Sequence, residues 1–147
     1  MTDLTKTTLS FHPLEPLRFP LVNRLYKAHY PAGKAKKDEV IWIGESTTEI
    51  VSAVRFQQFE DHQLMTGMLV VPAFRQQGIS QALLKACQVQ LISKHCFCFA
   101  FSHLENLYAQ AGFQVISEDA LPVSLAGRIQ RYRSAGKSLI PMRYSPN

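Results

Sequence analysis

The sequence predicts an α/β fold: a mixed, mostly antiparallel twisted sheet with helices on both faces and a central β-α-β crossover. Three observations carry this expectation. β-Rich runs at residues 40–44, 50–56 and 64–71 follow one another closely, with joints short enough for antiparallel hairpins. The strongest helical periodicity comes next, with Ile79, Ala82, Leu83, Ala86, Cys87, Gln90 and Leu91 on one face. Residues 96–101 are then apolar at every position, as suits a central strand covered on both sides. Strand, helix and buried strand in that order make a crossover of right-handed sense.

The remaining elements follow from local chemistry. Thr8, Leu9, Ser10 and Phe11 suit a short first strand. After Pro13, the spacing of Leu17, Leu21, Leu25 and Ala28 predicts an amphipathic helix with those four residues inward. Pro16 is tolerated near its start, whereas Pro20 would kink it or delay its true beginning. Residues 30–37 form a basic loop. Gly67 interrupts the third strand run, as a weak point or as a bulge that bends it. A short helix over residues 105–110 ends at the C-capping Gly112, and residues 113–116 suit another strand. Pro122 opens a final helix running to about Ser134. Residues 139–144 close the chain as an edge-like strand, because Pro141 cannot donate to a ladder.

With 147 residues, no internal repeat and no long linker, the chain is expected to form a single domain, residues 1–147. Its composition, 46% hydrophobic and 18% charged, is that of an ordinary globule, and no apolar run is long enough to span a bilayer. The first residues lack a basic-then-apolar leader pattern, so a cytoplasmic location without a membrane partner is expected. Cys87, Cys96 and Cys98 are odd in number, and Cys96 and Cys98 share one strand face, where bridging would strain the backbone. Even with His95 and His103 added, no second ligand pair stands at zinc-like spacing. Buried thiols and no metal are expected.

The net charge of +5 is unevenly placed. Basic and acidic residues balance up to Ala120, and the whole excess lies in Arg128, Arg131, Arg133, Lys137 and Arg143. This segment suits a solvated face or a docking surface for an anionic partner. It lacks the aromatic-rich face expected of a nucleic-acid binder. The edge-like last strand offers a surface on which a homodimer could form.

The chemistry is concentrated where the third strand gives way to the helix. A strand that stops at Pro72 and turns through Gly78 into a helix exposes unpaired backbone N–H groups at the positive end of the helix dipole, a seat for an anion such as pyrophosphate. Gly136-Lys137-Ser138 is not a P-loop ending, since Arg131 stands where that motif needs glycine, and no G-x-G-x-x-G is present.

What remains, Val70-Val71-Pro72-Ala73-Phe74-Arg75-Gln76-Gln77-Gly78-Ile79-Ser80, resembles the signature of the GCN5-related N-acetyltransferases, Arg/Gln-x-x-Gly-x-Gly/Ala after a strand ending in Val-x-Pro. Ser80 departs from the final Gly/Ala but is small. Leu107-Tyr108-Ala109-Gln110-Ala111-Gly112-Phe113 is similar to that family's second motif, Leu/Phe-Tyr-x-x-x-Gly-Phe, at the expected distance. The resemblance covers residues 40–116.

The resemblance implies a GNAT-like sheet whose crossover strands splay, and transfer of an acetyl group from acetyl-CoA to a primary amine by direct attack. It places backbone N–H groups of Gln76, Gln77, Gly78, Ile79 and Ser80 on the pyrophosphate, with the charge of Arg75 nearby. The strand end at Leu69, Val70 and Val71 would pair with the pantetheine arm, and a backbone N–H near Leu69 or Val70 would steady the oxyanion. Tyr108 would protonate the departing CoA thiolate, a role suited to a phenol, whose pKa exceeds a thiol's. For the general base, His103 and Glu105 rank first, ahead of Glu60, Asp61 and His62. The acceptor pocket is expected from the first helix, the 30–37 loop and the basic C-terminal segment. The alternative is a non-catalytic acyl-CoA-binding sensor or interaction module of the same fold.

Overall fold

A computed structural model describes residues 8–29, 35–36 and 38–146. The readings made on residues 1–6, and on residues 30–34 and 37 of the basic loop, lie outside the described residues. Among the described residues seven strands are present: β1 (Ser10–Pro13), β2 (Val40–Glu45), β3 (Ile50–Gln58), β4 (His62–Val70), β5 (His95–Phe101), β6 (Phe113–Val115) and β7 (Leu139–Tyr144). The described residues also form five α-helices: α1 (Phe19–His29), α2 (Ile79–Ala86), α3 (Gln88–Leu91), α4 (Glu105–Gln110) and α5 (Val123–Ser134). The hydrogen-bonded order is β1-β2-β3-β4-β5-β7-β6, in which β4 and β5 run parallel and β1–β2, β2–β3, β5–β7 and β6–β7 run antiparallel. This is the expected mixed, mostly antiparallel sheet with flanking helices. The chain divides into two compact units, one of residues up to Gln57 with Gly67–Gln88, the other of Gln58–Thr66 with the residues from Val89 on.

In the first unit, α1 buries Val22 and Tyr26 against Ile41, Ile43, Ala53 and Leu69. Side chains of that size contribute about 1.5–3 kcal/mol each when fully buried. The expected inward face of this helix is corrected. Leu17 is 93% exposed, Leu21 is 43% exposed and Ala28 is exposed, so only Leu25 of the four is partly packed. The true face is set one residue on, a turn of about 100°. Tyr26 fixes that face, because its hydroxyl donates to the buried carbonyl of Gly67 at 2.6 Å. Pro20 takes the second helical position, where no intrahelical N–H is lost.

An ion-pair cluster ties β1, β2 and the start of α1 together. Arg18 donates to both Glu45 oxygens at 3.0 and 2.7 Å, and His12 Nε2 lies 2.7 Å from Glu45 Oε1. The Arg18 hydrogen bonds, aided by His12, hold the Glu45 carboxyl below its ordinary value of 4.5. A depressed carboxylate stabilises the fold in full above the unfolded pKa and loses that contribution as pH falls through the folded one. Glu45→Gln is therefore expected to lose about 1 kcal/mol less than the wild type between pH 6 and pH 3.5 in urea unfolding. Equal losses would remove the pair as a source of acid sensitivity.

β4 carries a bulge. Phe59 N–H bonds to His62 O at one end of the β3–β4 hairpin and Val71 N–H to Val51 O at the other, so eight residue steps on β3 oppose nine from His62 to Val71. Gly67, at φ 69°, is the residue whose backbone permits the extra step. The parallel register with β5 runs from His62 opposite His95 to Met65 opposite Cys98, short of the bulge.

The second unit is built on Leu64, Phe97, Leu121, Leu125, Ile129 and Leu139, with Leu125 and Ile129 one turn apart on α5. Gln63 is fully buried and satisfied: its amide donates to Gln90 O at 2.7 Å, and its oxygen accepts from Gln58 and Gln90 at 3.1 and 2.8 Å. That network corrects the placing of Gln90 on a continuous apolar helix face. The chain leaves helical geometry at Cys87 and resumes in α3.

β7 is not an edge strand, since it lies between β5 and β6. Pro141 is admitted because its carbonyl accepts Ile116 N–H at 3.1 Å on the β6 side, just past the end of β6. The missing donor therefore falls where no partner strand continues. Part of the basic segment has partners within the chain: Arg133 pairs with Glu118 and donates to Leu139 O, Arg128 lies over the Phe59 ring, and Lys137 over the Tyr132 ring.

Candidate active site

The segment after β4 is shaped by its sequence residue by residue. Pro72 starts a single 3-10 turn that ends at Phe74, and Arg75 returns to extended backbone. Gln76 then takes φ 64°, the only non-glycine residue with positive φ among those described, and Gly78 takes φ 73° before α2 begins. Two left-handed residues, one of them without the freedom of glycine, mark a loop held in a strained form, which is a pattern of ligand-binding backbone. No side chain caps α2; the Gly78 carbonyl accepts Ala82 N–H at 3.0 Å, and the first-turn amides have no intrahelical acceptor. Val71 and Ile79 anchor the two ends of the loop in one apolar cluster with Val51, while Gln76, Gln77 and Gly78 are exposed. The arrangement is an open nest of donors at a positive helix end.

Arg75 donates through Nε to Val70 O at 3.0 Å, so the side chain that the motif supplies is pinned beside the loop and exposed. Val71 spends its N–H on Val51 O across the hairpin. Successive amides of a strand alternate sides, so the N–H of Val70 faces away from β3 and that of Leu69 faces toward it. The side chain of Leu69 is buried in the α1 core cluster.

In the second unit, one short segment carries all three residues ranked for proton transfer. His103 sits in a 3-10 turn after β5, exposed and stacked on Phe101 at 5.9 Å; Glu105 opens α4; Tyr108 lies one turn further along. Tyr108 is 6% exposed and meets Phe113 edge-on at 5.9 Å. Gly112 follows with φ 112°, ending the helix so that Phe113 turns back into the sheet. Of the lower-ranked residues, Asp61 and His62 pair at 2.7 Å at the start of β4, where the His62 ring stacks on Phe59.

The thiols are buried. Desolvation pushes Cys87 up to about 12 and Cys98 well above the ordinary thiol range, so neither is a nucleophile at neutral pH. Among the described residues no group of three or more metal-ligating side chains comes together, and no helix is long and apolar enough to cross a membrane.

One cluster was missed at the level of sequence. Arg55 on β3 is mostly buried beside Glu39, under contact with Tyr26 of α1. The available signal was a lone arginine inside the apolar run of residues 50–56.

The model of the acetyltransferase (GNAT) domain matches residues 37–115, more than half of the chain. The chain belongs to the GNAT family. No match was found among curated protein sequences. Among solved structures, the GNAT chain is similar to N-acetylglutamate synthase of Neisseria gonorrhoeae complexed with coenzyme A and N-acetyl-glutamate. The TM-score is 0.65 at 17% identity, over 97% of this chain and 36% of that one. It thus spans about a third of the synthase's length. It is also similar to the ribosomal-protein-S18-alanine N-acetyltransferase of Escherichia coli, with a TM-score of 0.63 at 12% identity over 95% and 96% of the two chains. For Escherichia coli ElaA the values are 0.64 and 17%, over 94% and 100%. At these identities the likeness is one of fold. Membership in the GNAT family points to acetyl-CoA-utilising chemistry in general.

Proposed function

We propose that this GNAT protein binds acetyl-CoA and transfers the acetyl group to a primary amine by direct attack, without an acyl-enzyme. The observation that carries the proposal is the left-handed turn at Gln76 and Gly78, which opens directly onto the uncapped start of α2. Its amides, from Gln76 to Ser80, suit a pyrophosphate, and Arg75 adds positive charge beside them. The bulge at Gly67 and the short parallel register of β4 support a strand end free to pair with the amides of a pantetheine arm. Val70, whose N–H faces away from β3, is the better oxyanion donor of the pair Leu69 and Val70. When bound, acetyl-CoA supplies an activated acyl thioester. Tyr108 then serves as the acid that returns a proton to the leaving sulfur, and His103 or Glu105 as the group that relieves the attacking amine of one.

Isothermal titration with acetyl-CoA and CoA tests the cofactor, and thiol release across a panel of amines tests transfer. Micromolar binding with thiol release on at least one amine is expected. Binding without release on any amine would replace the enzyme with an acyl-CoA sensor, and failure to bind either compound would remove both readings.

A further inference from the structure

Tyr108 stands on a helix that cannot hold it alone. α4 has six residues, too few for a helix to be stable by itself, and no side chain caps its start. Tyr108 is the one side chain of α4 that is buried. Its ring leans edge-on against Phe113, with centres 5.9 Å apart and planes at 67°. Phe113 opens β6 and is itself only 2% exposed. The place of the phenol is therefore tied to the place of Phe113.

Phe113 is fixed in turn from the end of β7. Tyr144, half-buried, stands opposite Phe113 in the β6–β7 ladder, and its ring meets Phe113 edge-on at 5.4 Å and 65°. Both contacts have the edge-to-face geometry that aromatic rings favour. Tyr108, Phe113 and Tyr144 thus form one chain of ring contacts within the second unit. The same end of β7 also ties down the exit from α4. Ser145 N–H donates to Gly112 O at 2.8 Å, and Gln114 Nε2 donates to Ser145 O at 3.4 Å. A Cβ built on Gly112 would lie 2.9 Å from the Tyr144 ring, and its three nearest atoms all belong to that ring. The glycine that ends α4 is needed twice, for its φ of 112° and for the space that Tyr144 fills. The Tyr144 ring is seated where glycine leaves room, one residue before the phenylalanine it meets.

We infer that Tyr144 is a positioning residue for the transfer: acting through Phe113, its ring holds the Tyr108 phenol where the proton must be delivered. The inference rests on the proposed acid role of Tyr108 and adds to it the residue that sets its geometry. A general acid works only within hydrogen-bond reach of the atom it protonates, and a misplacement of about 1 Å can cost about 100-fold in rate. A short helix leaves that placement to the rings packed against it. Tyr144 acts by its ring and not by its hydroxyl, and it lies away from the pyrophosphate turn in sequence and in unit, so cofactor affinity should not depend on it.

Thiol release from acetyl-CoA is followed in Tyr144→Leu, in Tyr144→Phe, and in Tyr144→Leu combined with Tyr108→Phe, on an amine that the wild type accepts. Tyr144→Leu is expected to lower kcat about 10-fold, with the Kd for acetyl-CoA changed by less than about threefold. Tyr144→Phe keeps the ring and should stay within about twofold of the wild type. In the Tyr108→Phe background, Tyr144→Leu should change kcat by less than about twofold, because the hydroxyl whose place it sets is gone. Thermal unfolding shows that each variant is folded at the assay temperature. Tyr144→Met, unbranched and adaptable, is read in the same way should the leucine variant unfold. Unchanged kcat in Tyr144→Leu, an equal loss in Tyr144→Phe, or the same loss repeated without the Tyr108 hydroxyl would each overturn the inference while leaving Tyr108 as the acid. Unchanged kcat in Tyr108→Phe alone overturns the acid role and this inference with it, and absence of thiol release on every amine overturns the transfer itself and both roles.

Discussion

Tyr108→Phe is expected to lower kcat about 100-fold or more while changing the Kd for acetyl-CoA by less than about threefold, in the range that loss of a positioned general acid produces. The substitution removes one oxygen and keeps the ring. The edge-on contact with Phe113 at 5.9 Å and the burial of the side chain between α4 and the start of β6 are therefore retained. A fall in thermal stability large enough to explain the loss would point to a packing role instead, so unfolding of the variant is measured beside turnover. Unchanged kcat would remove Tyr108 as the acid. Because the phenol is proposed to act on the leaving thiolate, acetyl donors with a better leaving thiol should recover part of the lost rate.

The second large effect concerns the loop. At Gly78, φ 73° is costly for any residue with a Cβ, by about 1–2 kcal/mol, and most for a β-branched one. Nothing lies within 4 Å of a Cβ built there, so the penalty is conformational rather than a clash. In Gly78→Val the exposed loop can relax in the free protein and must be driven back on binding. The Kd for acetyl-CoA is then expected to rise about 10- to 30-fold, with little change in unfolding temperature. Gly78→Asn, which tolerates the left-handed region, should restore most of the affinity. Equal affinity in the valine variant would show that the left-handed turn does not shape the seat.

The parts of this fold that were legible in the sequence are those governed by local chemistry. β4, the turn through Pro72 and Gly78, α2, the apolar β5, and α4 with Gly112 and Phe113 each carry their own signal. Strand alternation, a helix period, a φ-fixing proline and a φ-permitting glycine act within a few residues. The same locality made both family motifs visible, because each needs a backbone shape that few residue types can adopt. The bulge at Gly67 belongs to this class as well, since a glycine inside a strand signals an irregular step before any partner is known.

The features that were misjudged all depend on partners distant in sequence. Counting leucines gave α1 the wrong face, because the decisive contact of Tyr26 is with a carbonyl 41 residues away. Gln90 interrupts an apolar stripe for the sake of Gln63, 27 residues earlier. Pro141 suggested an edge, yet its strand is internal because the absent N–H falls beyond the end of β6.

The sequence by itself determined the order of elements, the open donor turn at the start of α2 and the tyrosine on α4, since these follow from backbone preferences inside short windows. Only the tertiary structure decided which face of α1 is buried, that β7 is internal, and that Arg55 is sequestered beside Glu39, Tyr26 and the Gly67 bulge. Burial and hydrogen-bond satisfaction are set by what folds against a residue. In Arg55, a lone charge in an apolar run became a cation buried beside Glu39.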